Sequence, residues 1–140
     1  MPWPNPEGMK RWASLMLLAV LLVPFAGSTS APAARVARKT HHVHAVGSWP
    51  MQFAWDPADI EIAAGDKVMW MNTTSGEHHI TPYEGPWPDD VHLHLEGEDS
   101  KATFVFKKPG VYKYYCDLQL HGQLLPGGVC AGQCGTITVR

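Results

Sequence analysis

From residue 42 onward the chain is a succession of short stretches in which apolar and polar side chains alternate with a period of two, the pattern of strands that bury one face. They predict strands over 42–47, 52–55, 59–63, 67–72, 78–81, 92–95, 102–106, 111–116 and 136–139. Turn residues punctuate them, among them Asp56-Pro57, Gly65-Asp66, Ser75-Gly76, Gly85-Pro86, Pro109-Gly110 and Pro126-Gly127-Gly128. No stretch carries a helical period, so the crossover helices of parallel βαβ units are missing and the expected class is all-β, an antiparallel sandwich or barrel. Alternation also assigns faces: Ala102, Phe104 and Phe106 share one side of their strand, and Tyr112, Tyr114 and Cys116 share one side of theirs. If that side is the core, Tyr115 looks outward.

The N-terminal third reads differently. Lys10 and Arg11 precede an uncharged apolar run, WASLMLLAVLLVPF over residues 12–25, followed by the small and polar AGSTSAPAA over 26–34. That order is a secretory signal peptide, expected over residues 1–33 with cleavage between 28 and 33. The run is shorter than the roughly 20 apolar residues of a membrane span, so no stable membrane insertion is expected after cleavage. Residues 34–48 read as a leader with a possible first strand, and 49–140 as one compact domain. The product is expected in the periplasm or outside the cell, as a monomer. Its nine basic and twelve acidic side chains after residue 33 give no concentrated basic surface for nucleic acid. A hydrophobic content of 45% with six Trp excludes disorder.

Export changes the reading of the cysteines. There are three, Cys116, Cys130 and Cys134, and in an oxidising compartment an odd count leaves one free or chemically occupied. Two segments on the β framework supply metal-binding groups: His78-His79-Ile80, and Tyr115-Cys116-Asp117-Leu118-Gln119-Leu120-His121. Two imidazoles and one thiolate with a weak axial neighbour are the ligand set of a blue-copper electron-transfer centre, because such a mixture suits both Cu(II) and Cu(I).

The segments IEIAAGDKVMWMN (60–72), HHI (78–80), KPGVYKYYC (108–116) and GTITV (135–139) resemble the type 1 copper proteins, the plastocyanin and azurin-like cupredoxins. The resemblance runs from about residue 52 to the end. It implies a Greek-key β-sandwich holding one mononuclear type 1 copper ion at one end, and it implies that Cys116 is the thiolate ligand. His121 is the only histidine after Cys116, so a His2Cys site uses it if the late ligand is an imidazole. His78 shares a face with Ile80 and falls on the family's ligand position. His79 would then point away and tie the ligand loops together; the reverse assignment of the two remains open. Counting back from Gly135, the family's axial Met position holds Gln133, a harder donor expected to lower the reduction potential. The eleven residues between His121 and Gln133 exceed the family's usual spacing, so a surface Gln is the alternative. Cys130 and Cys134 are free to pair as a disulfide. A binuclear C-x3-C copper centre and a Cys3His zinc site are the rivals, the first weakened because no His follows Cys134.

Other features complete the reading. The pairs His42/His44 and His92/His94 each place two imidazoles on one strand face, which permits an accessory metal site or a plain solvated face. Asp89, Asp90, Glu96, Glu98 and Asp99 form a diffuse acidic surface. The resemblance implies an exported carrier of single electrons between redox protein partners that dock transiently, with no substrate and no catalytic acid or base. Docking is expected near Tyr115, and at an apolar patch of Leu124, Leu125 and Pro126 beside His121. The alternatives are an exported copper chaperone or storage module, and a small copper oxidoreductase with an open coordination position.

Overall fold

A computed structural model describes residues 38–50 and 52–140; the expected signal peptide lies outside the described residues. Among the described residues, eleven strands run in the order β1 (Thr40–Val46), β2 (Ala54–Asp56), β3 (Asp59–Ile62), β4 (Lys67–Asn72), β5 (His78–Glu84), β6 (Leu93–Leu95), β7 (Lys101–Val105), β8 (Gly110–Tyr115), β9 (Gly122–Leu125), β10 (Val129–Gly132) and β11 (Cys134–Val139). No helix among the described residues is long and apolar enough to cross a membrane.

Two sheets face each other, one ordered β2-β1-β4-β7 and the other β3-β11-β8-β5-β6. The alternating pattern fills the space between them. Val43 and Ala45 from β1, Val68 and Trp70 from β4, Tyr112 and Tyr114 from β8, and Ile137 and Val139 from β11 are all buried. The strand expected to begin at residue 42 begins at Thr40 and lies inside its sheet, between β2 and β4. The expected faces of the two late strands hold as well: Phe106 is buried with Ala102 and Phe104 packed against the core, Tyr112, Tyr114 and Cys116 are buried in one row, and Tyr115 is half-exposed on the other side.

Aromatic rings knit the layers. Trp70 stands edge-on to Tyr114 with centroids 5.5 Å apart, Trp55 meets Tyr114 at 5.7 Å, and Trp87 meets Tyr112 at 5.2 Å. Each such side chain removes on the order of 150–250 Å² from water. At about 25 cal/mol per Å² that is several kcal/mol, against about 1 kcal/mol net for one ladder hydrogen bond. The interlocked aromatics therefore do most to pin the strand registers.

Two features depart from the expected architecture. The sandwich is not purely antiparallel: β1 runs parallel to β4, with Thr40 opposite Lys67, and β3 runs parallel to β11, with Thr136 opposite Asp59. Parallel neighbours usually need a helical crossover within one sheet. Here the chain returns through the opposite sheet, β1 and β2 leading to β3 before β4, so strands serve as the connection. The second departure is residues 122–132, which read as an irregular loop. They form a two-stranded hairpin, β9 and β10, with Gly122 opposite Gly132 at its base. Its strands are mostly exposed, so they lack the half-buried alternation that marks the others.

The sheet order positions the site. β5, β8 and β11 are neighbours in one sheet and β8 is antiparallel to both. The start of β5, the end of β8 and the start of β11 therefore meet at the same edge, where Tyr115 is opposite both Thr81 and Cys134.

Candidate metal centre

His78 opens β5, Cys116 follows β8, and Gln133 precedes β11. His121 is brought alongside by a tight turn in which its N–H donates to the Leu118 carbonyl at 3.0 Å. Leu120 sits in that turn at a φ of 70°, an uncommon conformation for a branched aliphatic residue. The hairpin then returns the chain to where it left. Gln133 N–H donates to the His121 carbonyl at 2.7 Å, and Cys116 N–H to the Gln133 carbonyl at 3.0 Å. The base of the hairpin admits no side chains: a Cβ on Gly132, whose φ is +87°, would lie 2.3 Å from the His121 oxygen, and one on Gly122 would lie 2.7 Å from the Cys116 oxygen. The long spacing between His121 and Gln133 is thus an extruded hairpin and leaves the two residues adjacent.

The structure brings together His78, Cys116, His121 and Gln133. Cys116 Sγ lies 3.4 Å from His121 Nδ1, His121 Nδ1 lies 3.2 Å from His78 Nδ1, and His78 Nδ1 lies 2.9 Å from Gln133 Oε1. His78, Cys116 and Gln133 are fully buried, while His121 keeps a partly exposed edge. Phe53 closes over the two imidazoles, its ring 4.2 Å from His121 and 5.0 Å from His78 between centroids.

Hydrogen bonds around His78 fix its tautomer. Thr74 donates its hydroxyl to Asn72 Oδ1 at 2.9 Å, and Asn72 is itself held by Nδ2–H donation to the Gly76 carbonyl at 2.6 Å. Having donated its only proton, Thr74 Oγ1 accepts from His78 Nε2–H, 2.7 Å away. His78 Nδ1 therefore carries a lone pair directed at the Gln133 amide, 2.9 Å away. The Gln133 Nε2 finds no partner. The donor set, two imidazole nitrogens, a thiol sulfur and an amide oxygen, fits copper.

Electrostatics agree with that fit. Burial pushes the His78 and His121 pKa values down, which favours the neutral imidazoles that ligation needs. Burial also raises the Cys116 pKa, partly offset by N–H donation from His79 to Sγ at 3.3 Å. An ion must displace the thiol proton on binding.

His79 turns away from this cluster. Its Nδ1 lies 2.6 Å from Asp117 Oδ1 and its Nε2 2.9 Å from Glu77 Oε1, so it joins the β5 and Cys116 segments from the outside. Burial pulls its pKa down, but the two carboxylates together outweigh that and hold it above the ordinary imidazole value. Cys130 and Cys134 form a disulfide with Cα atoms 6.1 Å apart. Neither sulfur is then a thiolate, which removes both the C-x3-C centre and the Cys3His zinc site from consideration. Leu124 and Leu125 lie on the outer half of the hairpin, opposite Cys130 and Val129. The apolar groups lining the surface beside His121 are Leu120 and Trp49, 71% and 70% exposed, which sequence reasoning missed. His42 and His44 join no metal-competent cluster among the described residues, whereas His92 and His94 do, together with His79.

Comparison with known proteins gives the same answer from an independent direction. A stretch of 68 residues is 31% identical to the chloroplastic plastocyanin of Physcomitrium patens, covering 44% of this chain and 40% of that protein. The chain thus spans less than half of the curated relative it matches. The purple cupredoxin of Nitrosopumilus maritimus superposes with a TM-score of 0.52 at 22% identity, over 71% of this chain and 98% of that one. The copper-containing nitrite reductase of Thermus scotoductus gives a TM-score of 0.54 at 22% identity, over 81% of this chain but 24% of the enzyme. At such identities the structural likeness establishes a cupredoxin fold, and no more. The family model for copper binding proteins of the plastocyanin/azurin type matches residues 41–131, the span from β1 through β10 that carries His78, Cys116 and His121. That span covers well over half of the chain and contains the imidazole and sulfur cluster, and the chain belongs to the plastocyanin/azurin family of copper binding proteins.

Proposed function

We propose that this protein is an exported carrier of single electrons, with His78, Cys116 and His121 as the copper ligands and Gln133 as the axial donor. The observation that supports this reading best is the convergence of Nδ1 of His78, Nδ1 of His121 and Sγ of Cys116, all within 4.8 Å of one another, with an amide oxygen at 2.9 Å. Copper, when bound, supplies one-electron chemistry between Cu(II) and Cu(I).

The residues of the chain do the rest. Cys116 and His78 are enclosed, and the Asn72–Thr74 network holds His78 from behind. The Gln133 and His121 backbones are bonded to each other and to Cys116. A ligand set braced in this way has little freedom to rearrange when the charge changes. Phe53 and the buried flanks exclude water from one side, and the His121 edge between Leu120 and Trp49 offers the route to the surface. A transient redox partner needs only a small contact there. Export follows from the expected signal peptide and is in keeping with the Cys130–Cys134 disulfide.

The axial assignment is tested by voltammetry of copper-loaded protein. Replacing the amide donor by a thioether, Gln133→Met, is expected to raise the reduction potential while the visible band persists. An unchanged potential and spectrum would move the axial role away from Gln133.

A further inference from the structure

Three imidazoles outside the copper cluster lie against one another on the outer face of β5 and β6. His79 is directly opposite His94 in the strand pairing, with ring centroids 4.3 Å apart. His92 is 4.5 Å from His94 and 5.1 Å from His79. Two carboxylates face them, Glu77 and Asp117.

We propose that His79, His94 and Glu77 form a second site, for a divalent transition ion of borderline softness such as Zn2+. His79 Nε2 lies 2.9 Å from Glu77 Oε1, and His94 Nδ1 lies 3.8 Å from the same oxygen. One donor atom from each of the three residues falls within 4.8 Å of the others. Ligands about 2.0–2.2 Å from a shared tetrahedral ion stand roughly 3.3–3.6 Å apart, a value that the 2.9 and 3.8 Å separations from Glu77 bracket. The far edge of His79 completes the arrangement. Its Nδ1–H donates to Asp117 Oδ1 at 2.6 Å and its Nε2–H to Glu77, so an ion that displaces the Nε2 proton meets a lone pair facing Glu77 and His94. A ligating imidazole commonly gives its other N–H to a carboxylate in this way, which fixes the ring and raises its basicity. Glu77 and His94 are about half exposed, so a hydrated ion reaches the site from solvent and water completes its coordination.

The His94–Glu77 pair is about half exposed, and a pair so exposed contributes little to stability. Imidazole and carboxylate donors together suit zinc, nickel and copper(II), and exclude the hard, oxygen-seeking ions magnesium and calcium.

The test is equilibrium dialysis of tag-free, copper-loaded protein against Zn2+, with both metals counted. The wild type is expected to take up one zinc per chain beyond its copper. His94→Ala and Glu77→Gln should each weaken uptake more than about tenfold, and Asp117→Asn should weaken it by about tenfold through loss of the orienting carboxylate. His42→Ala with His44→Ala should leave it unchanged. Near-ultraviolet circular dichroism of the tryptophans verifies that each variant is folded. No zinc uptake beyond copper, or uptake indifferent to His94→Ala, overturns the proposal. A protein that retains no copper contradicts the electron-transfer reading alone, because the zinc difference between wild type and His94→Ala still decides this one.

Discussion

Thr74 shows how a residue that touches no metal can govern the centre. Its hydroxyl is committed to Asn72, so it accepts from His78 Nε2–H and holds the Nδ1 lone pair toward Cys116 and His121. Thr74→Val keeps the shape and removes the acceptor, leaving a buried N–H unpaired. We expect copper affinity to fall by about 10–100-fold, measured by competition with a chelator of known strength. Unchanged affinity would show that packing alone orients the ring. Residue types made much of this legible in the sequence. His78 falls inward because Ile80 does, and Cys116 because Tyr112 and Tyr114 do. Thr74 and Asn72 were not legible as supports, since nothing in TTSG distinguishes a hydrogen-bonded turn behind a ligand from any other polar turn. The His79 cluster was half legible: the i, i+2 pair His92/His94 marked one strand face, but only the β5–β6 register sets His79 against it.

Among the elements, the turn between β3 and β4 ties the first sheet together. Asp66 accepts from Lys39 N–H at 2.9 Å and Ala63 N–H at 3.2 Å, and its other contact is His41 Nε2 at 2.9 Å. The Lys39 amide above all, and the His41 side chain after it, hold the Asp66 carboxyl below its ordinary pKa. A depressed pKa means that the contribution to stability is complete above the unfolded value of about 3.9 and is lost as pH falls through the lower folded value. Wild type should therefore melt above Asp66→Asn at pH 6, and the gap should narrow as pH drops below about 4. A gap that stays constant to pH 2 would remove Asp66 from acid unfolding. The elements differ in how well the sequence announced them. β4 and β8 carry strict alternation over a buried face and were expected almost to the residue. β9 and β10 were missed because they pack on nothing: their pattern is set by pairing with each other and by the glycines at their base. The parallel pairings were hidden for a different reason, since period-two alternation specifies a face and says nothing about the direction of the neighbour.

At the scale of the whole molecule, the sandwich encloses the proposed ligands His78, Cys116 and Gln133 at one end and leaves an edge of the fourth, His121, at the surface, bordered by Leu120 and Trp49. If that border is where electrons leave, a charge placed on it must be desolvated at every encounter. Leu120→Glu should slow electron self-exchange between the oxidised and reduced forms by about tenfold, equivalent to about 1.4 kcal/mol of docking free energy, with the visible spectrum unchanged. Line broadening in nuclear magnetic resonance reads that rate, and an unaltered rate would place the outlet elsewhere. The most direct trial of the central claim is the visible absorption spectrum of copper-loaded wild type beside that of Cys116→Ser. The account predicts an intense sulfur-to-copper charge-transfer band in the first and its loss in the second. A band that survives the substitution, or a wild type that shows no such band with copper bound, would contradict it.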